Sequence, residues 1–109
     1  MVAQGDVLFR RVDAIPDGFS AAQPEGGRHI LAHSETGHHH VVDASDAIRF
    51  EGSNPLVAYL RLESDTADVT HLRSFDTHGM VCLEGGKGAI WEVRRQREWD
   101  GAAERSAAD

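Results

Sequence analysis

No window of this chain carries apolar residues at helical spacing with capping residues at its ends. It carries short apolar runs, broken every few residues by turn formers. That pattern leaves strands as the regular element able to bury its apolar side chains. Residues 56–62 (LVAYLRL) form the best run: alternation sets Leu56, Ala58, Leu60 and Leu62 on one face and Val57, Tyr59 and Arg61 on the other. Residues 6–12, 28–33, 38–43, 46–51, 67–72, 78–83 and 89–98 read as further strands, the last with Trp91 and Val93 inward and Glu92 and Arg94 outward. Residues 16–18 (PDG), 52–55 (GSNP) and 84–88 (EGGKG) read as turns, and 34–37 as a four-residue hairpin loop. About eight short strands at this spacing predict an all-β fold, a small barrel or sandwich.

The length of 109 residues suits one β domain over 1–99, and the small, polar residues of 100–109 are expected to fray. Apolar residues make up 40% and charged residues 27%, ordinary globular usage that argues against disorder. Eighteen acids against eleven bases give a net charge of −7, which argues against nucleic acid and anionic membranes as partners. Residues 1–10 show no basic segment leading into an apolar run, and no stretch approaches the roughly 18–20 apolar residues of a membrane span. One cysteine excludes an internal disulfide and a multi-cysteine zinc site. A soluble, cytoplasmic protein is expected, with a small molecule or another protein as partner.

Chemistry must come from the seven histidines. His38 and His40 are two residues apart, so a strand turns them to one face and His39 to the other. Such a pair can share one metal ion, and Gly37 lets the backbone turn sharply before it, at the mouth of a barrel. A divalent ion needs a third and often a fourth ligand. His33 across the hairpin, and His71 and His78 from later strands, are the histidine candidates; Glu35 and Asp43 are the carboxylates. Imidazole ligands do not distinguish zinc, iron, nickel and manganese. The competing reading is a set of solvated or hydrogen-bonded strand histidines. His29, out of phase with Ile30, is expected at the surface.

Other chemistry is sparse. Cys82 and His78 are four residues apart, about 13 Å along a strand and too far for a nucleophile–base pair. Cys82 reads as a small core residue. No nucleophile elbow, phosphate-binding glycine loop or H-E-x-x-H motif occurs. Arg94, Arg95 and Arg97 form a basic patch, read as a solvated strand edge or as a site for an anion or an acidic partner.

Taken in order, QGDVL at 4–8, GR at 27–28, LAH at 31–33, TGHHH at 36–40, TH at 70–71 and RQREW at 95–99 resemble a family of small, uncharacterised bacterial and phage-borne proteins. The resemblance implies a β-rich fold and the recurrent residues His33, Glu35, His38, His40 and His71. It implies no activity. Two departures stand out: the loop between Glu35 and Thr36 is one residue shorter, and the second histidine expected close after His71 is missing, with His78 seven residues on. A looser similarity to cupins rests on His38-x-His40, Asp43 and a later histidine, without the cupin glycine and glutamate spacing. Two functions follow as expectations. One is a metal-binding β protein, its ion activating water if a coordination position stays open; the other is a non-enzymatic accessory or interaction module with structural histidines.

Overall fold

The computed structural model of the protein describes residues 1–4, 7–32, 40–72 and 77–95. Ten strands form among them: β1 (Val2–Gln4), β2 (Val7–Val12), β3 (Ser20–Ala21), β4 (Arg28–Ala32), β5 (His40–Asp43), β6 (Ala47–Glu51), β7 (Val57–Leu62), β8 (Ala67–Leu72), β9 (Thr77–Leu83) and β10 (Ile90–Arg95). The chain is all-β, with no helix among the described residues. The two strands beyond the expected eight are β1 and β3, three and two residues long, too short to show alternation.

The strands make two antiparallel sheets, ordered β1-β2-β10-β7-β6-β3 and β4-β5-β8-β9. Neither order returns to its first strand, so of the two architectures expected the sandwich is found and the barrel is not. Phe9, Leu60, Leu62 and Val93 of the first sheet and Val42, Val69 and Leu83 of the second bury together in one core cluster. At about 25 cal/mol per Å², the burial of these alternate side chains is what holds the sheets together. Trp91 and Val93 are inward as alternation predicts, and the Trp91 indole N–H donates to the Glu84 carbonyl at 3.0 Å.

Two expectations of phase and one of sheet position are corrected. Val57 and Tyr59 are buried, so β7 is covered on both faces; Phe19 meets the Tyr59 ring edge-on at 4.9 Å. Glu92 is buried because charged partners cover it on the outward face. The basic segment of Arg94 and Arg95 is no sheet edge, since β10 lies between β2 and β7. The strands that do form edges are blunted: β1 and β3 by length, β4 and β9 by register shifts. No helix among the described residues is long and apolar enough to cross a membrane.

Candidate metal centre

Residues 33–39, which hold His33, Glu35, His38 and His39, lie outside the described residues, as does the 95–99 motif beyond Arg95. Of the five histidine candidates, the structure therefore describes the positions of His40, His71 and His78. It brings these three into one row. His40 opens β5 and stands opposite His71 of β8, and His71 stands opposite His78 of β9. Directly opposed residues in an antiparallel ladder have Cα atoms about 4.5–5.5 Å apart. His40 also pairs with Ala32, the last residue of β4, so the row runs across the end of the four-stranded sheet.

The row depends on an irregularity in β9. Val69 pairs with Val81 and His71 with His78, so Gly79 and Met80 together oppose Thr70 alone. This two-against-one step shifts the register by one residue and takes His78 out of phase with Met80 and Cys82. Strict alternation would have grouped those three. Met80 and Cys82 are exposed, and the expectation of a core Cys82 is corrected. The residues on either side of it in the chain, Val81 and Leu83, belong to the core instead. Partial desolvation and the facing Asp68 carboxylate push the Cys82 thiol up, so it is a poor nucleophile at neutral pH.

His40 is buried, two residues from core Val42 and so on the inward face of β5. Asp43, the carboxylate candidate on the same strand, is exposed and three residues on, on the opposite face. Its Oδ1 accepts from Ser45 N–H at 2.8 Å and from Ser45 Oγ–H at 2.7 Å, which holds its carboxyl below the usual range. It shapes the β5–β6 turn rather than joining the histidines.

His29 corrects another expectation. It is 4% exposed because it pairs with Val42 on the inward face, while Ile30 is the half-buried outward residue. Burial, and then the Arg49 charge, push its pKa down, so it stays neutral at neutral pH.

Sequence reasoning missed a second polar cluster. Glu92, with its side chain 8% exposed, accepts from Arg10 Nε, from an Arg94 terminal nitrogen and from the Tyr59 hydroxyl, each at 3.2 Å. Burial pushes its carboxyl up, but hydrogen bonds and charge from Arg94 and Arg10 outweigh that and hold it below the ordinary range. Arg10 and Glu92 are 82 residues apart, so no local motif announces the cluster.

Among the described residues, no three His, Cys, Asp or Glu side chains are grouped so as to hold a metal ion. Those residues leave out His33 and His38 and the side chains of His71 and His78. Fold and register together define a small antiparallel β-sandwich with histidine positions aligned across one end of its four-stranded sheet. The chain belongs to the DUF8820 family, a domain of unknown function whose family model matches residues 3–96. That agrees with the uncharacterised family implied by the resemblance; it does not extend to the individual motifs or the cupin-like spacing. No curated protein and no solved structure matches the chain.

Proposed function

We propose that this protein binds one divalent metal ion at the end of its four-stranded sheet, through His40, His71 and His78, with His38 or His33 completing the set. What supports the reading is the register that aligns His40, His71 and His78 on three consecutive strands. Neutral imidazoles gain little by lining up unless something shared holds them, and a borderline cation is the ligand that suits several imidazoles at once. His38 precedes His40 by two residues, and His33 follows Ala32 directly in the chain. If one coordination position is left to water, the ion would lower that water's pKa and supply a hydroxide near neutral pH; with four protein ligands it would be structural. The lone cysteine is the ground for assigning the protein to the cytoplasm.

A second reading has one observation in its favour. His40 is 4% exposed beside core residues, as a packed structural histidine would be. In that case the protein is a non-enzymatic module and the row is part of its core.

Equilibrium dialysis of tag-free protein against zinc, manganese, nickel and ferrous ion separates the two. One equivalent of bound metal, abolished in His40→Ala and His71→Ala and kept in His39→Ala, is the outcome expected of a metal centre. Failure of the wild-type protein to retain any of the four ions at neutral pH leaves the structural reading.

A further inference from the structure

The outward face of the six-stranded sheet lacks the polar surface of a solvated sheet. Its central row is Arg10–Glu92–Tyr59, with Glu92 buried between its partners. The register places Leu8–Arg94–Val57 on one side of that row and Val12–Ile90–Arg61 on the other. Each row holds one arginine, and the other four positions of the flanking rows are aliphatic. On a chain of net charge −7, these rows carry three arginines against one carboxylate, Glu92, which is spent on two of them, while Glu63 just beyond the rows pairs with the third.

The three guanidiniums are held and still open to solvent. Arg10, Arg94 and Arg61 keep side-chain exposures of 56%, 51% and 42%. Glu92 fixes the first two, and Arg61 is seated over the Phe50 ring at 5.2 Å and beside Glu63 at 3.6 Å. Arginines fixed in place lose less freedom when they take a carboxylate in a two-pronged hydrogen bond. Half-buried Leu8, Val12 and Ile90 form an apolar floor between them.

We infer that this face docks an acidic, amphipathic segment of a partner protein. The partner's carboxylates meet Arg10, Arg61 and Arg94, and its apolar side chains cover Leu8, Val12 and Ile90. Nucleic acid fits less well. The aromatic rings a base would stack on are taken, Tyr59 by Phe19 and Phe50 by Arg61. A second copy related by a two-fold axis would set arginines against arginines, with Glu92 unable to relieve them.

The test uses three fluorescent probes: a decapeptide of alternating glutamate and leucine, its lysine–leucine counterpart and a 15-nucleotide oligothymidylate. Anisotropy titrations on the full chain should show binding of the acidic peptide alone, weakening several-fold between about 50 and 300 mM salt. Arg61→Glu, outside the Glu92 cluster, should weaken it at least tenfold, as should Arg94→Gln; Arg28→Glu, on the other sheet, should leave it unchanged. Circular dichroism verifies that each variant stays folded. Absence of acidic-peptide binding, equal binding of the lysine peptide, preference for the oligonucleotide, or equal loss in Arg28→Glu would each overturn the inference. So would a concentration-dependent dimer, in sedimentation velocity, that Arg61→Glu dissociates.

Discussion

His40 of β5 stands directly opposite His71 of β8, at the end of the sheet where β4 and β5 are joined. The pairing turns residues 31 positions apart in the chain into neighbours, and the β9 irregularity adds His78 to the same row. Removing that irregularity would move His78 one residue out of register.

Glu92 is expected to matter for stability although it lies in the other sheet from the histidine row. Glu92→Gln removes the charge that two arginines and Tyr59 converge on. Because the arginine partners are half exposed, the cost should be about 1–3 kcal/mol, below that of a fully buried pair. Its carboxyl is held below the ordinary range, so the contribution is present above the unfolded-state pKa and is lost as pH falls through the folded-state value. Urea denaturation should show a clear gap between wild type and variant at pH 7, shrinking as the solution is acidified below about pH 4.

His29 should make the fold sensitive to mild acid. Its folded-state pKa is depressed by burial and by Arg49, so below the unfolded value of about 6.5 the unfolded chain takes up a proton that the folded chain refuses. Stability from this group is complete above that value and declines as pH falls toward the depressed one. His29→Gln should therefore lose less melting temperature than wild type between pH 7.5 and 5.5. An unchanged pH slope would contradict the burial argument.

Gly85 and Gly86 are adjacent, both at positive φ, yet should not be equivalent. A Cβ at Gly86 meets nothing within 4 Å, so Gly86→Ala should cost only the backbone strain, about 1 kcal/mol. A Cβ at Gly85 would run into the Arg11 guanidinium and come within 2.9 Å of the Cβ of buried Ala89. Arg11 could move only by leaving its place over the Trp91 ring, 5.9 Å from the centroid. Gly85→Ala should cost about 1–2 kcal/mol more than Gly86→Ala in thermal or chemical denaturation.

Much of this architecture was legible in alternation and turn residues. The existence of the central strands and the inward phase of Trp91 and Val93 follow from the chain as read, the latter because Glu92 separates the two apolar residues, whereas β7 is apolar in both phases and its wet face was misread. Where both phases are apolar, the reading failed. Met80, Val81, Cys82 and Leu83 offer two faces, and only the pairing with β8 selects Val81 and Leu83 for the core. In β4, Ile30 and Leu31 offer the same choice, and taking Ile30 as the core residue put His29 on the wrong side. Glu92 was hidden because burial on an outward face depends on Arg10 and Tyr59, set beside it by long-range pairing. His40, His71 and His78 could be named from residue type, but their alignment rests on a register shift that no local pattern encodes.

The most direct test of the histidine row is the nitrogen chemical shifts of the imidazole rings, followed by long-range proton–nitrogen NMR as zinc is added to tag-free protein at pH 7.5. A shared ion should move the ring resonances of His40, His71 and His78 together, reaching completion at one equivalent, with His29 unmoved. Lowering the pH through about 6.5 should reverse the change, since protonated imidazole cannot ligate. Ring resonances that stay fixed through several equivalents of zinc, or that move for only one of the three, would contradict a metal centre at this row.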